Sequence, residues 1–278
     1  MSQKSYNNAP TLYLIPTPIG NMEDITLRAI NTLKEVEVIF SEDTRVTGIL
    51  LKHLNIKKKL IASHEHNEIK NQGLALDYLK QGYNIGLVTD RGTPIISDPG
   101  YVIVKYIIEN GYNVVSLPGP TALIPALTVS GLNPSPFLFY GFLNNKESKA
   151  LKELESLKSE KATMIFYEAP HRLEKTLGNM LKIFGNRSIS ISREISKRYE
   201  EVYRGNIEAV IEEVKDAKGE FVIVVEGDTT VKSYDNLSVI EHVNLYVDED
   251  MKLMDAIKKV AKERNVSKSE IYNEYHKK

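Results

Sequence analysis

Residues 85–100 read Ile-Gly-Leu-Val-Thr-Asp-Arg-Gly-Thr-Pro-Ile-Ile-Ser-Asp-Pro-Gly. The first five residues are a short, mostly apolar run, which predicts a buried parallel strand. The remainder is rich in Gly, Pro, Asp, Thr and Ser, and an apolar helix is predicted to follow at 101–108. Connections of this composition at the carboxyl end of a strand are where α/β sheets bind ligands. We therefore expect a binding site here.

Strands and helices alternate on both sides of this stretch. The first half has predicted strands at 12–15, 36–40, 60–63, 85–89 and 113–117, with short connections to the helices between them. This alternation predicts a mostly parallel sheet covered by helices on both faces. After Pro118-Gly-Pro-Thr, strands predicted at 137–140, 162–167, 188–192, 201–204 and 221–226 indicate a second α/β unit with antiparallel members. We expect an α/β fold with domains at 1–118 and 119–232 and a helical tail at 233–278.

The tail follows a polar link predicted at 228–236 and carries a helical signature. Ser267 and Glu270 form a capping box, and one amphipathic face is formed by Leu253, Ile257, Val260 and Ala261. Residues 251–278 contain eight Lys plus Arg and four Asp plus Glu, which gives a net charge of +4. The pattern resembles a nucleic-acid-binding helix-turn-helix unit, but a helix pair that only packs on the main body explains it equally well.

Composition excludes several classes of protein. The chain has 278 residues, of which 42% are hydrophobic and 26% charged, as in ordinary globular proteins. It has no cysteine, so disulfides, thiolate metal sites and cysteine nucleophiles are excluded. The sequence shows neither a membrane-spanning apolar run nor the apolar segment of a signal peptide, so we expect a cytoplasmic protein.

Familiar catalytic motifs are absent: there is no Gly-x-Gly-x-x-Gly, Walker lysine, Gly-x-Ser-x-Gly or His-Glu-x-x-His motif. His64-Glu-His could suggest a metal, but a zinc site needs three or four protein ligands and no third cluster is evident. We therefore predict a polar loop that lines a substrate cleft, and no metal. Asp90 and Asp98 are the acids most suited to a functional role, although each could simply cap a turn or helix.

Six motifs occur in order along the chain: Pro16-Thr-Pro-Ile-Gly-Asn, Glu42-Asp-Thr-Arg, His64-Glu-His-Asn, Asp90-Arg-Gly-Thr-Pro-Ile-Ile-Ser-Asp-Pro-Gly, Pro118-Gly-Pro-Thr-Ala and Phe166-Tyr-Glu-Ala-Pro-His-Arg. Together they resemble the tetrapyrrole methylase superfamily, and within it the bacterial enzymes that methylate small-subunit ribosomal RNA. The resemblance covers residues 12–227, and the tail is similar to the helix-turn-helix extension of the same enzymes. It implies S-adenosyl-L-methionine-dependent 2′-O-methylation of a cytidine ribose in the decoding region of 16S rRNA within the small ribosomal subunit. It also implies a homodimer, with the cofactor held in a cleft between two α/β domains.

The resemblance also assigns residues to the cofactor site. They are Pro18, Asp90, Gly92, Thr93, Pro94, Asp98, Pro118, Gly119, Thr121, Ala122, Phe166 and Tyr167. Glycines permit close backbone approach, a helix that begins near Thr121 suits a carboxylate, and the aromatic pair can pack on adenine. For Phe166 and Tyr167, an ordinary place in the core is an equally good interpretation.

Methyl transfer from a sulfonium is an in-line displacement, so alignment of the reacting atoms supplies much of the acceleration. A base or cation that lowers the pKa of the ribose hydroxyl would help. We hypothesise that this group is one of Asp43, Arg45, His64 and Glu65, which cluster at neighbouring strand ends.

The sequence departs from the family pattern at two places. Arg91 stands where these enzymes usually have a small residue, and Asn144-Asn-Lys146 replaces a stretch that usually contains proline. Two alternatives to the function that the resemblance implies are a small-molecule methylase of the same fold and a non-catalytic ribosome-assembly factor.

Overall fold

The computed structural model describes residues 3–5, 7–230, 234 and 237–277. Contacts divide the chain into two compact units, residues 1–228 and 229–278. The predicted polar link at 228–236 lies partly outside the described residues. No helix among the described residues is long and apolar enough to cross a membrane.

The first half of the larger unit is built on a parallel sheet. Its strands are β1 (Thr11–Leu14), β2 (Val38–Ser41), β3 (Lys59–Ala62), β4 (Ile85–Val88) and β5 (Asn113–Ser116), in the order β3-β2-β4-β1-β5. The helices are α1 (Leu27–Glu35), α2 (Thr44–His53), α3 (Glu68–Lys80) and α4 (Tyr101–Glu109). This arrangement confirms the α/β alternation predicted from the sequence.

Helices on both faces explain the continuous apolar strands. Leu87 of β4 packs in the core beneath α3 and α4, whereas Val88 packs in the core beneath α1 and α2. Because successive strand residues point to opposite faces, a strand buried on both sides has no polar positions. All four residues of β4 are buried accordingly.

The second half has a mixed sheet. Its strands are β6 (Phe137–Phe142), β7 (Thr163–Glu168), β8 (Ser188–Arg193), β9 (Glu201–Asn206) and β10 (Phe221–Val225), in the order β6-β7-β10-β8-β9. Only the β6–β7 pair is parallel among the described pairs. The helices are α5 (Leu123–Val129), α6 (Glu147–Leu157), α7 (Leu173–Phe184) and α8 (Ile207–Glu213). The antiparallel members predicted for this half are present.

The smaller unit contains α9 (Val239–Val247), α10 (Leu253–Glu263) and α11 (Lys268–Tyr275). The amphipathic face on α10 and the capping box at Ser267 are confirmed. The sequence analysis missed α9, although Ser238 and Glu241 form the same capping-box signature there. Beneath these helices His242 is fully buried. Its imidazole accepts a hydrogen bond at Nδ1 from Arg264 and therefore donates from Nε2 to Glu263, at 3.0 Å.

Candidate functional site

The loop that follows β4 has an unusual backbone. Gly92 and Gly100 adopt positive φ values of 88° and 127°, which glycine permits because it has no side chain. Ile95 and Ser97 also have positive φ, at 79° and 66°. This conformation is costly for a β-branched residue such as Ile95, and backbone strain of this kind concentrates at functional sites.

Contacts at several points hold the strained loop. Near its start, the amides and carbonyls of Thr17 and Gly92 exchange hydrogen bonds of 2.9 and 3.0 Å, and Thr93 Oγ1 donates to the carbonyl of Pro120. At its end, the buried carboxylate of Glu68 accepts hydrogen bonds from the amides of Gly100 and Val102. The loop after β4 is thus tied to the loop after β1, to the connection that follows β5, and to α3.

A cavity of about 320 Å³ lies against this loop. Both halves of the larger unit line it. The first half and the connection after β5 contribute Ile19, Arg91, Gly92, Thr93, Ile96, Ser97, Asp98, Thr121 and Ala122, and the second contributes Phe142, Tyr167, Glu168, Ala169, Pro170, Ile195, Glu220, Phe221 and Val222. Mostly apolar walls with a few polar groups are typical of pockets for small molecules and cofactors.

Acidic side chains crowd the base of the loop. Thr89 Oγ1 donates to the carboxylate of Glu42 at 2.8 Å, and Asp90 Oδ1 accepts from the amide of Asp43 at 3.0 Å. Burial raises the pKa of Asp90, and burial followed by the nearby charge of Glu42 raises the pKa of Asp98 to about 6. Since Asp98 lines the cavity, ionisation of its carboxyl adds a negative charge to the cavity as the pH rises through about 6.

The raised pKa of Asp98 gives a testable dependence of stability on pH. Between about pH 4 and pH 6 the carboxyl ionises in the unfolded chain but stays protonated in the folded protein, so the wild type loses stability as pH rises. We expect Asp98→Asn to remove this loss, because an amide does not ionise. Urea unfolding of both proteins from pH 4 to pH 7 measures the effect. The free energy of unfolding of the variant, relative to that of the wild type, should increase from pH 4 to pH 6. A difference that stays constant over this range would contradict the raised pKa of Asp98.

The structure brings together half of the cofactor residues that the resemblance assigned. The cavity is lined by Gly92, Thr93, Asp98, Thr121, Ala122 and Tyr167. Pro18 and Asp90 instead line a neighbouring cavity of about 460 Å³ between the loops after β1 and β4, helix α2 and the loop after β8. Pro94, next to Thr93, and Pro118 and Gly119, a few residues before Thr121, do not line the first cavity. A side chain at Gly119 would collide with Pro16, so this glycine permits close packing of the two loops.

The aromatic pair on β7 is divided between two environments. Tyr167 lines the cavity, and burial raises the pKa of its hydroxyl, which lies near the Thr121 side chain. Phe166 is fully buried in the core on the other face of the sheet, against α6, α7 and α8. The structure therefore does not place the Phe166 side chain in the site, because adjacent strand residues point to opposite faces.

The four candidate catalytic residues lie at the ends of β2 and β3, which are neighbours in the sheet. The guanidinium of Arg45 holds the pKa of Asp43 at about 2, so Asp43 is a weak proton acceptor at neutral pH. His64 Nε2 lies 3.3 Å from the Asn67 amide nitrogen, and its Nδ1 is buried without a hydrogen-bond partner among the described residues. Glu65 is exposed. None of these four side chains lines the 320 Å³ cavity.

The structure shows the contacts of the two segments that depart from the family pattern, Arg91 and residues 144–146. Arg91 forms an ion pair with Glu220 of the second half, and Lys197 donates to the same carboxylate at 2.7 Å. Lys146 is exposed, while Asn145 accepts a hydrogen bond from Arg172. Within the described ranges, no group of three His, Asp or Glu side chains is arranged to hold a metal ion.

The sequence analysis did not single out Glu42 or Glu68 as site residues. Glu42 lies within a quoted motif, and its role depends on a hydroxyl 47 positions away. Glu68 lies one position beyond another quoted motif and contacts the loop from α3. For Glu42, its place as a polar residue in a turn-rich motif is a signal that the sequence offers. For Glu68 the sequence offers no such signal, because its role depends on contacts between distant parts of the chain.

Two α/β halves that contribute loops to one apolar cavity have the architecture of the two-domain methylases. Residues 11–211 match the family described as Tetrapyrrole (Corrin/Porphyrin) Methylases. Uroporphyrin-III-C-methyltransferase from Thermus thermophilus has a similar fold, with a TM-score of 0.57 and 18% identity over 78% of this chain and 94% of that one. The methyltransferase CobJ gives a TM-score of 0.59 and 17% identity over 80% of this chain and 95% of that one.

Sequence relatives are more specific than these structures. Ribosomal RNA small subunit methyltransferase I of Bacillus subtilis is 46% identical over 99% of this chain and 97% of that protein. The protein of the same name from Halalkalibacterium halodurans is 45% identical over 99% of both chains, and that from Haemophilus influenzae is 43% identical over 82% of both. The chain therefore belongs to the tetrapyrrole methylase family, in the branch of these relatives, and is a methyltransferase.

Proposed function

We propose that the protein transfers a methyl group from S-adenosyl-L-methionine to the ribose 2′-hydroxyl of a cytidine in the decoding region of 16S rRNA. The observation that carries the proposal is identity of 40–46% over nearly the whole chain with proteins named ribosomal RNA small subunit methyltransferase I. The small ribosomal subunit is the proposed substrate, which implies action in the cytoplasm. The resemblance further supports a homodimer and the division into domains 1–118 and 119–232 with a tail at 233–278.

The residues of the 320 Å³ cavity fit the proposed cofactor. S-adenosyl-L-methionine supplies a methyl group on a positively charged sulfur. Asp98 offers a carboxylate that attracts this charge, and Phe142 and Tyr167 offer aromatic faces for an adenine. The fixed backbone at Gly92 and Thr93 allows a ligand to approach closely. Apolar walls exclude water and so strengthen electrostatic attraction within the cavity.

The chain's own acids and bases would prepare the acceptor hydroxyl. Asp43, Arg45, His64 and Glu65 remain the proposed candidates, at strand ends beside the loop after β4. The low pKa of Asp43 favours a role for the Asp43–Arg45 pair in holding RNA over a role in removing a proton. His64 accepts a hydrogen bond at Nε2 from the side-chain amide of Asn67, so the proton of its neutral ring lies on the buried Nδ1.

The test is transfer of radiolabelled methyl groups to small subunits from cells that lack this protein, followed by mapping of the labelled nucleotide. We expect label in one cytidine ribose of the decoding region. Alanine at each of the four candidates, with cofactor affinity measured in parallel, identifies the residue that acts on the hydroxyl. Cofactor binding without transfer to RNA would favour a small-molecule methylase, and an inactive variant that retains every cellular role would favour an assembly factor.

A further inference from the structure

One segment of the surface differs sharply in charge from the rest of the chain. Residues 44–64 contain five Lys plus Arg, two His and no Asp or Glu. The chain as a whole has a net charge of −1, so the remaining residues carry −6. Most of the positive charge lies in residues that we call the basic edge: Lys52, His53, Lys57, Lys58 and Lys59.

The fold gathers these side chains at one border of the parallel sheet. Lys52 and His53 lie in the last turn of α2, and Lys57 to Lys59 lead into β3, the outermost strand. Lys52, His53, Lys57 and Lys59 are exposed, while Ile56 between them is buried and anchors the turn. A shallow groove lies beside them, lined by Gly48, Leu51, Lys52, Asn55, Ile56, Lys57, Lys58 and Leu60.

Of the four lysines of the basic edge, Lys59 lies near the charge of Glu37, and the other three have no ion-pair partner in the described part of the chain. Lys59 donates to the Tyr78 hydroxyl. The dipole of α2 favours cations at Lys52 and His53 in its last turn. It does not account for Lys57 and Lys58, which lie beyond the helix.

The position of α2 links the basic edge to the two cavities of about 320 and 460 Å³, which together we call the reaction cleft. The helix begins next to Asp43, whose amide contacts Asp90 of the loop after β4, and it ends at His53. Ten helical residues span about 15 Å, so the basic edge lies about 15 Å along α2 from Asp43. The ammonium groups of lysines are suited to phosphates, and contacts to phosphates are independent of sequence.

We infer that the basic edge is a second RNA-binding surface, which holds the phosphate backbone of the substrate outside the reaction cleft. The inference rests on the proposed function. The test is the triple variant Lys52→Glu/Lys57→Glu/Lys58→Glu, with binding to small ribosomal subunits measured at several salt concentrations. Each lost phosphate contact lowers the slope of log affinity against log salt by about 0.7–0.9, so three lysines should lower it by roughly 2–3.

A matched control separates this surface from general charge effects. Lys149, Lys152 and Lys215 are exposed in the second half, and their reversal to glutamate changes the net charge equally. We expect the basic-edge variant to bind subunits at least tenfold more weakly near 0.1 M salt. Its affinity for S-adenosyl-L-methionine should stay at the wild-type value, and its unfolding midpoint should fall only slightly, because Lys52→Glu places a negative charge in the last turn of α2. The control should keep the wild-type slope.

Two results would overturn the inference. One is an equal slope of log affinity against log salt for the wild type and the basic-edge variant, and the other is an equal loss of affinity for subunits in the variant and the control. Glutamine at the same three positions removes the positive charges without introducing negative ones. This variant should lower the slope of log affinity against log salt in the same direction, by a smaller amount. If the wild-type protein itself neither binds nor methylates subunits, the proposed function fails. If the wild type binds subunits but the variant has the same slope, only the inference about the basic edge fails.

Discussion

Glu68→Ala should weaken cofactor binding at least tenfold and lower the free energy of unfolding by about 2–4 kcal/mol, because one buried and one partly buried backbone donor lose a charged acceptor. Glu68 is only 5% exposed, and its carboxylate accepts hydrogen bonds from the amides of Gly100 and Val102 at the start of α4. Gly100 has no side chain to cap this helix, so Glu68 on α3 supplies the cap instead. Without it, we expect the strained loop at Ile95 and Ser97 to relax away from the cavity wall.

Calorimetry with S-adenosyl-L-methionine and urea unfolding measure the two effects of Glu68→Ala separately. Asp77→Ala is the matched control, since Asp77 is an exposed carboxylate on the same helix. Glu68→Gln keeps the shape and one acceptor oxygen, so it should recover part of both losses. Wild-type cofactor affinity in a folded Glu68→Ala protein would show that the loop keeps its conformation without the cap.

Phe166→Ala should cost about 3–5 kcal/mol of stability, since truncation of a buried phenylalanine leaves a cavity among α6, α7 and α8. We expect Tyr167→Ala, one residue later, to cost less stability and to weaken cofactor binding about tenfold or more, because Tyr167 lines the pocket. Urea unfolding and calorimetry on both variants provide the comparison. A larger loss of cofactor affinity in a folded Phe166→Ala protein than in Tyr167→Ala would reverse the assignment of the two faces.

The contrast between Phe166 and Tyr167 shows what sequence patterns can and cannot predict. Alternation of apolar strands and helices correctly predicted both sheets, because burial on two faces imposes composition directly. The same period of two also implies that neighbours on a strand face opposite ways, so only one aromatic of the pair could line the cleft. The resemblance assigned both, since a family motif identifies a segment without separating its ligand contacts from its core contacts.

Glu68 illustrates the part that sequence patterns could not predict. Its neighbours Glu65 and His66 are exposed, and a run of polar residues is ordinarily a solvent-exposed loop. Its burial depends on two amides 32 and 34 positions away, and that contact exists only after α3 and α4 have packed together. α9 was missed for a related reason: its buried side includes His242, a residue that hydropathy alone places at the surface.

The order of strands in the parallel sheet also constrains how the protein matures on the ribosome. β1 is the first strand to be synthesised, yet its partners are β4 and β5, which lie more than 70 and 100 residues later. Loop closure over such separations makes these pairings slow relative to local helix formation. The backbone bridge between Thr17 and Gly92 therefore closes only after Gly92 has emerged from the exit tunnel, and until β4 and β5 pair with β1 the apolar side chains of β1 stay unprotected.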